Sequence, residues 1–137
     1  MYNCWVKRSI DIFISLIALA ITHVCVKNFY DGKKAWSAQE ISHYLEAPIR
    51  LTNEILFELT EAGILVEIKK DNALVGYQPA QDVGSYTIRN VLKMLDARGV
   101  DNISMVDSKA LHKISHCLAA IDKAVESSPD NLNLKDI

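Results

Sequence analysis

The sequence predicts a mostly α-helical fold with a small β-hairpin wing: a winged helix-turn-helix followed by a C-terminal helix. Three observations carry this. Two helix signals flank a short turn between Ser37 and Gly63, two β-type runs surround Asp71-Asn72 directly afterwards, and helical spacing resumes at Ile88 and again at Leu111. That order places the winged helix in residues 1–98 and leaves residues 99–137 as a helical extension and tail.

The first element is the apolar run Ile10 to Val26. Its 17 residues stand at the lower limit for spanning a bilayer, with Asp11, Thr22 and His23 near its ends. No small-residue cleavage pattern follows it, so a signal peptide is not expected. It reads as the central helix of a globular domain, buried and apolar on most sides because other helices wrap it.

Ser37 and Glu40 have the spacing of a capping box and start a helix from Ala38 to Leu45, with Ile41 and Leu45 inward. Pro48 suits the first turn of the next helix, where its missing N–H leaves nothing unpaired, and Gly63 suits that helix's end. At 100° per residue, Leu51, Ile55, Leu59 and Ala62 share the inward side. The opposite side then presents Arg50, Asn53, Phe57 and Glu61, flanked by Glu54.

The runs "ILVEIKK" and "LVGYQPA" form a hairpin, with Val75 and Tyr77 on one face and Gly76 on the other. Thr87 caps a further helix carrying Ile88, Val91, Leu92 and Leu95, which closes at Arg98-Gly99. In the last segment Leu111, Ile114, Leu118, Ile121 and Val125 form a seam of three-four-three-four spacing. Two heptads are too short to stand alone, so this helix either closes its own core or is a dimer seam. The polar "SSPDNLNLKDI" reads as a frayed tail.

Composition bounds the chemistry. Half of the 137 residues are apolar, enough for a real core. A formal charge of −2 and a pI near 6.1 give no overall cationic field, so any nucleic-acid contact must be a local patch. Lys33 and Lys34 before the helix-turn-helix and Lys69 and Lys70 at the wing are the basic pairs nearby, and they are the possible phosphate contacts. Cys4, Cys25 and Cys117 are odd in number and lack zinc spacing, which suits a reduced compartment, with Cys25 and Cys117 as small core residues. His112 and His116 stand four apart but share no HExxH pattern, and they read as solvated. No metal, cofactor or catalytic residue is expected, because no nucleophile elbow, phosphate loop or paired acid appears.

The unit "SAQEISHYLEAPIRLTNEILFELTEAGIL", the wing ending in "GYQPA" and the helix beginning "TIRNVL" resemble the C-terminal cytoplasmic winged-helix domain of YihY/BrkB, or ribonuclease BN-like, membrane proteins. The resemblance runs from about Ser9 to Arg98 and is most specific at "PIRLTNEILFELTEAGIL" and "YQPA". It implies a non-catalytic interaction or regulatory module at the cytoplasmic face of the inner membrane, itself soluble, in a fragment that starts near the last span. The nuclease label transfers no residue. The same element order is similar to the iron–sulfur-sensing winged-helix repressors, but residues 79–116 hold none of the cysteines that cluster sensing needs.

Two functions follow as alternatives: the membrane-protein module, or a soluble winged-helix transcription regulator. For the helix at Pro48 the acidic residues favour a protein partner. Phe57 would anchor it, with duplex binding absent or confined to weak, salt-sensitive contacts at the lysines.

Overall fold

The computed structural model describes residues 4–70, 74–96 and 108–137, with side chains from residue 13 onward. Helix α1 spans Cys4–Tyr30. Its C-terminal half is the axis of the core: Ala18, Ile21, Val24, Cys25 and Val26 are buried. Thr22 is buried with them because its hydroxyl donates to the Ala18 carbonyl at 2.7 Å. The helix ends where Gly32 takes φ 71, with Gly32 N–H on Phe29 O and Lys33 N–H on Asn28 O.

Expected burial along the whole apolar run holds only for this half. Phe13 is 57% exposed and Leu16 64%. The reason is length: 27 residues at about 1.5 Å each reach roughly 40 Å, more than the short helices beside it can cover. The window Phe13–Tyr30 is long and apolar enough to cross a membrane, yet its later turns are occupied by the protein's own core.

Helix α2, Ala38–Leu45, starts with both bonds of the capping box, Glu40 N–H to Ser37 Oγ and Ser37 N–H to Glu40 Oε1. The turn after it places Glu46 in the left-handed region at φ 53, and Ser42 Oγ donates to Ala47 O at 2.6 Å across it. Pro48 is the N-cap of α3, Ile49–Glu61, one position earlier than expected. There its carbonyl accepts from both the amide and the hydroxyl of Thr52. That bond lets Thr52 be buried beside Ile55, Leu56 and Leu59. The inward stripe is therefore wider than the expected set, while Leu51 and Ala62 are only half-buried.

Strands β1, Leu65–Lys69, and β2, Val75–Pro79, pair antiparallel from Leu65↔Pro79 to Lys69↔Val75. The Asp71-Asn72 turn lies outside the described residues. Trp36 adds a one-residue third strand through Tyr77 N–H to Trp36 O at 3.1 Å. Helix α4, Ile88–Asp96, is capped as expected, by Asn90 N–H on Thr87 Oγ1. Its expected close at Arg98-Gly99 is outside the described residues.

Two expectations for the C-terminal part are corrected. Helix α5, Lys109–Glu126, has no buried residue, so it does not close its own core. It is tethered to α4 by Arg89 Nε on Asp122 Oδ1 at 2.7 Å, with Lys93 near Asp122 and Glu126. The tail is docked, not frayed. Leu134 is buried, its amide donates to Tyr86 O, and Asn133 Nδ2 donates to Val83 O and Gly84 O. Apolar burial of one leucine and several paired amides offset the chain entropy that composition alone suggested would win.

Tyr86 locks the root of the wing. It is buried, its hydroxyl donates to the Ile64 carbonyl just before β1, and the same oxygen accepts from Gln81 N–H at 3.1 Å. Tyr86→Phe removes both bonds and leaves their backbone partners short of hydrogen bonding, so a loss of about 1–3 kcal/mol in unfolding free energy is expected in urea melts. An unchanged midpoint would show that the lock contributes nothing.

Candidate nucleic-acid interface

The exposed face of α3 carries the residues that helical geometry assigns to it. Arg50, Asn53, Glu54, Phe57 and Glu61 are all exposed, Phe57 at 62%. Glu58 is exposed as well, so one cation stands among three carboxylates. Such a face has base-reading chemistry but little phosphate affinity. Arginine can pair guanine, asparagine adenine, and a carboxylate can accept from the cytosine amino group, whereas each carboxylate is repelled by the backbone.

Cationic groups gather elsewhere. Lys33, Lys34, Lys69 and Lys70 line one open cleft of about 710 Å³ between the end of α1 and the hairpin, beside Phe29 and Leu74. Two pairs 36 positions apart in sequence meet because the segment after α1 runs alongside β2. Lys70 is already engaged: its ammonium contacts Glu40 Oε1 at 2.8 Å. The Lys70 hydrogen bond is the main reason the Glu40 carboxyl is held below the usual range. Among the described residues, Lys33, Lys34 and Lys69 form no ion pair, so three of the four keep their charge for an outside phosphate. Glu40 thus has two jobs, cap and wing tether, of which only the cap was visible in its local spacing.

The α5 seam is presented outward. Ile114, Leu118, Ile121 and Val125 are exposed, Leu118 at 60%, and Leu111 is half-buried. Phe13, Ile14 and Leu16 on α1 form a second exposed apolar stretch. Scattered exposed leucines need no explanation, but a helix stripe of this kind lacks its covering partner.

Comparison with solved structures places this architecture among regulators. CymR (YrzC), the global cysteine regulator of B. subtilis, superposes with a TM-score of 0.60 at 16% identity, covering 90% of this chain and 91% of that one. IscR of T. potens gives 0.59 at 11% identity over 90% and 81%, and Staphylococcus aureus CymR gives 0.57 at 15% over 90% and 93%. The fold is that of these winged-helix proteins. No family model matches the chain and no curated protein does, so the resemblance to the YihY/BrkB domain gains no support from either.

Burial separates the cysteines. Cys25 is 2% exposed, as expected of a core residue, whereas Cys117 is exposed on α5, which corrects its assignment to a core. His112 and His116 are exposed on the same helix, and among the described residues no three His, Cys, Asp or Glu side chains gather as a metal site. Burial pushes the Cys25 thiol up to about 12. At pH 8 its thiolate is then on the order of one molecule in ten thousand. Alkylation of the native protein at pH 8 is expected to label Cys117 and spare Cys25 until denaturant is added, read by peptide mass spectrometry. Equal labelling would show that the α1 core opens readily.

Proposed function

We propose that this chain is a non-catalytic transcription regulator that binds duplex DNA as a homodimer. One observation carries the reading. The likeness to CymR and IscR extends over 90% of the chain, more than residues 1–98 could supply, so it includes the helical extension as well as the winged helix. In this reading α3 enters the major groove, where Arg50, Asn53 and the carboxylates discriminate bases. Lys33, Lys34 and Lys69 take phosphates, and α5 pairs with its counterpart through Leu111, Ile114, Leu118, Ile121 and Val125. An acidic reading helix keeps non-specific affinity low, and two linked half-sites restore affinity on the correct sequence.

Selection from random duplexes is expected to enrich a two-fold-symmetric site, bound far more weakly at 200 mM than at 50 mM salt, as phosphate contacts require. Arg50→Ala should weaken the selected site roughly tenfold and relax one base position, while Lys69→Ala should weaken all sequences alike. No enrichment, or an Arg50→Ala protein with unchanged discrimination, would remove the reading.

The assembly is tested separately. Leu118→Asp places a charge in the middle of the α5 seam without touching the core, because that side chain is exposed. Sedimentation should show a folded monomer where the parent chain is a dimer. A parent chain that is monomeric at micromolar concentration would leave the seam without a role in pairing.

The exposed Phe57 favours a second reading, in which α3 docks on a protein, as in a YihY/BrkB-like module. Under that reading Arg50→Ala leaves no DNA phenotype.

A further inference from the structure

A second, smaller cavity lies on the other side of the Lys33 segment. It measures about 320 Å³ and is walled by His23, Lys27, Asn28, Lys33, Trp36 and Tyr44, contributed by the last turns of α1, the segment leading to α2, and α2 itself. The volume is at the small end of ligand pockets.

Two walls of it differ in kind. On the α1 side, Asn28 is only 7% exposed, its backbone carbonyl is taken by Lys33 N–H at 2.8 Å, and its side-chain Nδ2 has no partner among the described residues. His23 Nε2 is unpartnered in the same way. A buried polar group left without a partner costs about 1–3 kcal/mol. Elsewhere this core satisfies its buried hydroxyls, with Thr22, Ser37 and Thr52 all bonded, so two orphans at one cavity wall stand out. Opposite them Trp36 and Tyr44 meet edge to face, with ring centroids 5.2 Å apart at 66°.

The charges agree in sign. Lys27 donates one N–H to Lys135 O at 3.0 Å and keeps others, and Lys33 has no ion pair among the described residues. No carboxylate lines the cavity. Burial, and after it Lys27, hold His23 below its ordinary range, so at neutral pH it is an uncharged imidazole able to donate from one nitrogen. A wall of donors and cations facing two aromatic rings fits an acceptor-rich, flat molecule.

We propose that this cavity binds a small planar carboxylate. Its carboxylate takes the N–H of Asn28 and the ammonium of Lys33, and its flat body lies against Trp36 and Tyr44. The site is joined to the wing, because Trp36 O accepts from Tyr77 N–H of β2 at 3.1 Å, and Lys33 also lines the cationic cleft. A bound anion would therefore draw Lys33 away from phosphate and brace the wing. That regulatory consequence rests on the DNA-binding reading; the binding itself does not.

The test uses the full chain without DNA, so its failure is distinct from failure of the regulator reading. With Trp5→Phe, Trp36 is the sole indole, and its fluorescence is followed during titration with benzoate, with benzylamine as the same ring of opposite charge. Benzoate is expected to give a saturable change and benzylamine none. Asn28→Asp should abolish the benzoate response. Because a buried carboxylate can cost folding, Lys33→Ala on the exposed segment is the second variant. It should weaken benzoate about tenfold, the loss of one charge-assisted hydrogen bond, with an unchanged circular dichroism spectrum. No saturation up to roughly 20 mM, well beyond a millimolar Kd, equal responses to both probes, or full benzoate affinity in Lys33→Ala would overturn the proposal.

Discussion

The whole arrangement depends on burial of the C-terminal half of α1. α2, α3, β2, α4 and the final 3-10 turn at Leu134–Asp136 all pack against that one helix, and none of them is long enough to make a core with another alone. Ile21 and Val26 are fully enclosed, as are Ile41, Leu56 and Leu59 from the helix-turn-helix that meets them. Because the shared surface is apolar, polar groups within it must be bonded locally, and Thr22 and Thr52 both use the carbonyl four residues back. The helix-turn-helix is thereby held at a fixed angle to the wing, whose root Tyr86 ties to the same core.

Charge is partitioned over this frame in an unusual way for a protein read as contacting nucleic acid. The face of α3 is acidic, and the lysines stand at the hairpin and the end of α1. Discrimination and attraction are then assigned to different elements, which ties them together only if the wing keeps its position. Glu40 and Lys70 help to hold it, linking the first turn of α2 to the end of β1. That ion pair is half in solvent and contributes little stability; its importance is geometric.

The C-terminal part returns to the domain it leaves. α5 runs out with its apolar seam uncovered, held to α4 by Arg89 and Lys93 on Asp122, and residues 131–137 then fold back under α1 and α4. Asn131 Oδ1 accepts from the Arg89 amide at 2.8 Å, so the tail also supplies an acceptor at the start of α4. A helix fixed at both ends yet bare along its length is suited to meeting a partner as a rigid surface, at lower entropic cost than a flexible arm.

Local signals in the sequence determined the element order, the capping box, the glycine ends of α1 and α3, the hairpin and the outward face of α3. Each of these is decided by residues within a turn or two of one another, through periodicity or a single backbone hydrogen bond. The number of walls around α1, the role of α5 and the fate of the tail were settled only by tertiary structure. Ile10–Val26 looks equally apolar along its length, and a seam looks the same whether its cover is its own domain or a second copy. A polar tail shows no sign that one leucine will find a core. The sites divide the same way. Arg50, Asn53, Phe57 and Glu61 follow from helix geometry, but the meeting of Lys33 with Lys69, the capture of Lys70 by Glu40, and the cavity at Asn28 arise from contacts between distant segments. Such contacts depend on how much surface each element has left to bury, and that quantity belongs to the packed chain.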